Sequence, residues 1–132
     1  MRKALATFAL PFLFLLATPA RACMPDGIIF LAGSVRLSAA DRQMIAQVAT
    51  QFRDSPRGSI LRLTAWTGAA GSPDSDPRLA RRRYETVKAA FIRRGVPVHA
   101  IETRLDMRDG SINGHRYVQI DIVAGEAAGC GG

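Results

Sequence analysis

The sequence predicts an α+β fold of order β-α-β-α-β-β, with two helices packed on one face of a four-stranded mixed sheet. Three observations predict it. Ile45, Val48, Ala49 and Phe52 fall at i, i+3, i+4, i+7, and Ala80, Tyr84, Val87 and Phe91 repeat at i, i+4, i+7, i+11, so two helices each carry an apolar stripe. Short apolar or alternating runs flank them, "ILRLTAW" (60–66) and "RYVQIDIV" (116–123) most clearly. Clusters of Gly, Pro, Asp and Ser punctuate the boundaries.

The elements follow in order. "GIIFLAGSVRL" (27–37) begins as a buried apolar strand and is broken at Gly33-Ser34. Ser38 is placed to cap the first helix, with Asp41 three positions on completing a capping box. "DSPRGS" (54–59) ends that helix and the strand 60–66 follows. Asp76 caps the second helix and Pro77 suits its first turn. Gly95 in "RRGVP" stops it, with Arg93 and Arg94 near the negative end of the helix dipole. "AIETRLD" (100–106) is a short third strand, "MRDGSINGH" (107–115) a loop, and 116–123 the last strand. The ordered core is expected over about 28–123, with a flexible tail at 124–132.

The first 22 residues read as a secretory leader. Arg2 and Lys3 precede an apolar run from Ala4 to Leu16, and Ala20-Arg21-Ala22 is a small-x-small cleavage site. The run is too short for a membrane span. The expected mature protein is therefore one domain, 23–132. Losing Arg2, Lys3 and Arg21 lowers the formal charge from +7 to +4. Almost all remaining cations are Arg, which suits paired contacts with carboxylate or phosphate and equally fits the codon bias of a GC-rich genome. Cys23 and Cys130 bracket the mature domain, and an oxidising compartment favours a disulfide between them. The alternative is lipidation of Cys23; the residues before it, Arg21 above all, fit a lipoprotein signal poorly.

Several chemistries are set aside. The glycine-rich turn "GAAGSPD" before an arginine-rich helix suggests an anion site, yet it lacks the Gly-Lys-Ser/Thr ending of a phosphate loop. His99 and His115 are far apart, so no metal site and no cofactor is expected. No nucleophile sits in a recognisable elbow, so no catalytic residue is assigned and the chain is read as non-enzymatic. In "RLARRR", consecutive residues point different ways around a helix, and no aromatic platform accompanies them, which argues against nucleic acid.

From about Ile28 to Val123 the chain resembles the OmpA-like peptidoglycan-binding domains of Gram-negative envelope proteins. "FLAGSVRL" (30–37) matches the family's F-x-x-x-S-x-x-L. Ala65-Trp66-Thr67-Gly68, two residues, then Gly71-Ser72 stand where the family has G-H-T-D, two residues, G-S. Asp76, Leu79, Ala80 and Arg83 follow at the positions of N-x-x-L-S-x-x-R, "RRGVP" matches xxGVP, and His115-Arg116-Tyr117-Val118-Gln119-Ile120 takes the place of N-R-R-V-E-I.

The resemblance implies a site. In the family the signature Asp takes the ammonium and the helix Arg the carboxylate of diaminopimelate in the wall's stem peptide. Arg83 keeps the Arg position, but Gly68 stands at the Asp position. Losing one member of such a pair costs about 2–5 kcal/mol. The implied ligand-binding set is Arg83, Asp76, Thr67, Gly68, Trp66, Leu79 and Arg116, with weakened or altered binding of the stem peptide or of another carboxylate. Asp76 or Asp74 is a candidate for the missing acid. An acid restored at position 68 is expected to strengthen binding. The resemblance further implies export to the periplasm or the periplasmic face of the outer membrane, and a possible envelope protein partner. Membrane contact is expected only through association or a lipid on Cys23. The alternative is a structural or interaction module that keeps the fold and has dropped the ligand.

Overall fold

The computed structural model describes residues 26–68, 70–107 and 116–124. The leader, both cysteines, most of the 107–115 loop and nearly all of the tail therefore lie outside the described residues. Among the described residues there are four strands: β1 (Asp26–Ile29), β2 (Ile60–Trp66), β3 (Ile101–Asp106) and β4 (Tyr117–Val123). Two helices join them, α1 (Ala39–Arg53) and α2 (Pro77–Arg93). Short 3-10 helices at Pro73–Ser75 and Val98–Ala100 were not foreseen from the sequence.

The sheet order is β1-β4-β2-β3. β4 pairs antiparallel with both β1 and β2, while β2 and β3 are parallel. β1 and β2 consequently run the same way with β4 inserted between them. The mixed sheet and its order of elements agree with the sequence expectation.

Period-two alternation decides the inner face. Leu61, Leu63 and Ala65 of β2, Val118 and Ile120 of β4, and Ile28 of β1 are buried. They meet the helix stripes Ile45, Val48, Ala49 and Ala80, Val87, Phe91 in one apolar cluster. Tyr84 and Phe52 pack at its margin. The outer face is polar along β2 and β3, with Arg62 against Glu102 at 3.5 Å.

β1 is shorter than its apolar run suggests. Beyond it, one bond continues the ladder, Phe30 N–H to the Arg116 carbonyl at 2.7 Å. The next carbonyls are taken by Arg83.

Candidate functional site

Arg83 sits on the inward face of α2, one turn after the buried Ala80 and one before Val87, whereas Arg81 and Arg82 are exposed. It is 1% exposed, the largest fully buried side chain in the fold. Burying a guanidinium is costly unless it is paired and hydrogen-bonded. Nε donates to the Ser34 carbonyl at 2.9 Å and Nη2 to the Leu31 carbonyl at 3.2 Å. Nη2 also meets Asp74 Oδ1 at 2.5 Å. The Phe30 ring lies 5.4 Å from the guanidinium carbon, within cation–π range. Nη1 is buried and has no hydrogen-bond partner among the described residues.

Asp74 is the residue the sequence undervalued. It belongs to the 3-10 helix 73–75 and is 5% exposed. Besides Arg83 it accepts the Gly33 N–H at 3.1 Å. Burial pushes its carboxyl up, but the Gly33 amide, Arg83 and the charge of Arg116 outweigh this and hold it below the usual 3.8.

Gly68 faces the same residue. Its N–H donates to the Asp74 carbonyl at 2.6 Å. A Cβ added at Gly68 would come 2.6 Å from Asp74 Cβ and 2.7 Å from its carbonyl carbon. Position 68 is thus closed by Asp74, and the two residues flank the same spot. This corrects the expectation that an acid placed at 68 would simply complete a pocket: such a side chain collides with the turn already there.

The other sequence candidates distribute unevenly. Thr67 is buried and donates its N–H to the Asp106 carbonyl at 3.3 Å, extending the β2–β3 ladder by one bond. Arg116 is near enough for its charge to act on Asp74, and its buried Nε has no partner among the described residues. Leu79 is buried beneath the start of α2. Asp76 caps α2 through the Arg78 N–H at 2.9 Å and pairs with the Arg78 side chain, so it is engaged in starting the helix. Trp66 is opposite in parity to Leu63 and Ala65 and therefore points away from the helices, pairing in register with Asp106. Its indole N–H is buried and has no partner among the described residues. Among the described residues no group of three or more His, Cys, Asp and Glu is arranged to hold a metal.

The OmpA family profile matches residues 29–116, and this chain belongs to the OmpA family. Solved structures of similar fold include the C-terminal domain of MotB from Helicobacter pylori, at 18% identity and TM-score 0.61, covering 78% of this chain and 86% of that one. The OmpA-like domain of FopA1 from Francisella tularensis aligns at 14% identity and TM-score 0.62, covering 74% and 71%. The peptidoglycan-associated lipoprotein from Burkholderia pseudomallei aligns at 16% identity and TM-score 0.59, covering 73% and 88%. No curated protein matches the sequence.

Proposed function

We propose that the chain is a non-enzymatic cell-envelope module directed at the zwitterionic diaminopimelate end of the peptidoglycan stem peptide, or at another carboxylate, with Arg83 as the carboxylate partner. The observation that carries this is the buried Arg83–Asp74 pair beside Gly68. The acid missing from position 68 stands a few ångströms away on the turn, already engaged with the cation. A zwitterion can replace that internal pair charge for charge: its carboxylate takes Arg83 and its ammonium takes the released Asp74. The internal contact must open first, and losing such a pair costs about 2–5 kcal/mol, so net binding is weak. The name of the Burkholderia structure and the family membership agree with this direction.

In this reading the leader 1–22 exports a single domain, 23–132, to the Gram-negative periplasm. Cys23 and Cys130 then close a disulfide, with lipidation of Cys23 as the rival.

The second reading, a structural module without ligand, rests on the same guanidinium. Apart from Nη1, Arg83 spends its hydrogen bonds tying the 31–34 loop and the 73–75 turn to α2.

Co-sedimentation with isolated sacculi separates them. Wild type should sediment weakly. The double variant Gly68→Asp/Asp74→Gly removes the Asp74 Cβ from the collision and leaves only the backbone of a now more pliant turn to shift, frees Arg83 and returns the acid to the strand end; it should sediment more strongly. If both proteins are folded by circular dichroism and neither sediments, the binding reading falls and the structural one stands.

A further inference from the structure

The end of the fold opposite Arg83 carries a second surface. α1 runs into β2 and α2 into β3, and these strands are parallel in register, Leu61 beside Ile101. The C-terminal ends of both helices therefore lie along one edge of the sheet. Arg53 links them, donating to the Arg94 carbonyl at 3.3 Å and to Thr50 Oγ1 at 3.2 Å. Here an open cleft of about 360 Å³ is lined by Phe52, Pro56, Ile60 and Pro97, with Arg53, Arg57 and His99 among its other walls.

Charge and apolar surface coincide at this edge. Arg53, Arg57, Arg93 and Arg94 are all exposed. Among the described residues none of the four is in an ion pair, and neither are the exposed Arg36, Arg42, Arg81 and Arg82, whereas Arg62, Arg78, Arg83 and Arg104 each meet a carboxylate. Among the described residues, Ile60, Ile92 and Val98 are three of six large exposed hydrophobics, at 37%, 42% and 59%. The chain also leaves the sheet here, since Val123 pairs with Ile60, and β1, parallel to β2, starts from the same side.

We propose that this edge is a docking surface for an anionic phospholipid layer, with the arginines on headgroup phosphates and Ile60, Ile92 and Val98 at the acyl boundary. Unpaired arginines beside exposed aliphatic side chains match that boundary on both counts. A small soluble anion would use the arginines and leave the aliphatic residues in water. The surface is independent of the Arg83 site, which faces the other end of β2.

The test floats the full chain with vesicles of phosphatidylcholine alone or mixed with phosphatidylglycerol, so any contribution common to both vesicles cancels. Wild type should prefer the anionic vesicles. Arg57→Gln/Arg93→Gln/Arg94→Gln should lose about fivefold per arginine, roughly a hundredfold in all. Arg36→Gln/Arg81→Gln/Arg82→Gln removes equal charge from exposed positions elsewhere and should keep the preference. Ile92→Ser/Val98→Ser should weaken binding with charge unchanged. Equal losses in the two arginine variants overturn the proposal. So does displacement from the vesicles by inorganic phosphate at constant ionic strength, which would assign the cleft to a free anion. Arg83 variants that stay folded by circular dichroism leave this assay unmoved, so its failure is separable from failure of wall binding.

Discussion

At the scale of single residues, the pair Arg83–Asp74 decides most of what can be measured. Replacing Asp74 by Asn leaves a buried guanidinium uncompensated, and Asp74→Asn should destabilise the protein by about 3–5 kcal/mol in urea unfolding at neutral pH. The pH dependence fixes the cause. The Asp74 carboxyl is depressed in the folded state, so its stabilisation is present above the unfolded value near 3.8 and lost as pH falls toward the folded one. Wild type and Asp74→Asn should accordingly converge in stability below about pH 3.8, with wild type losing the difference. Gly68→Ala should cost about 1–3 kcal/mol, since the new methyl group meets the Asp74 backbone. An Ala variant as stable as wild type would show that the turn moves freely. Positions 68 and 83 were legible in the sequence because motif spacing survives there. Asp74 was harder to weight, because the sequence does not show which of two neighbouring acids a 3-10 turn will bury. Asp76 is spent on the helix cap, and Asp74 is aimed inward.

At the scale of elements, local chemistry set the helices more firmly than the strands. The first helix begins where its cap does. Ser38 Oγ accepts the Asp41 N–H at 3.0 Å, and Asp41 Oδ2 accepts the Ser38 N–H at 2.8 Å, a complete capping box. Ser38→Ala should cost about 1 kcal/mol, read as a lowered thermal midpoint; an unchanged midpoint would mean that packing alone holds this end. The helix boundaries were readable for this reason. Strand ends depend on partners distant in sequence. β1 stops at Ile29 although apolar residues continue, because the Leu31 and Ser34 carbonyls turn to the guanidinium of Arg83. No periodicity in 27–37 encodes a contact some fifty residues away. The outer face gives a second case. A Cβ at Gly27 would collide with the Tyr117 side chain, so the glycine admits the aromatic ring across the strand. Burial then raises the Tyr117 hydroxyl above its ordinary value, helped by Asp121 and Asp26.

For the whole molecule, the topology separates two ends and joins them through one core. β2 runs in the middle of the sheet from Ile60, at the arginine-rich edge, to Trp66, two residues short of Gly68. Both helices pack on the same apolar cluster, which includes residues from every strand. Fold class and order were legible because hydrophobic period and punctuation agree along the chain. The relation between the two ends was not, since it follows from the parallel pairing of β2 with β3. A shared core implies one cooperative transition. Trp66, the single tryptophan, reports on the Arg83 end, while far-ultraviolet circular dichroism reports chiefly on the helices that run between the ends. The two urea transitions should coincide in wild type. In Asp74→Asn both should move to lower denaturant together, because Arg83 anchors its loops to α2 itself and not to a detachable subunit of the fold. A fluorescence transition that precedes the loss of helix would show that the 67–76 segment opens on its own. In that case the Arg83–Asp74 pair is a local latch, and opening it for a ligand costs less than unfolding measurements on the whole chain imply.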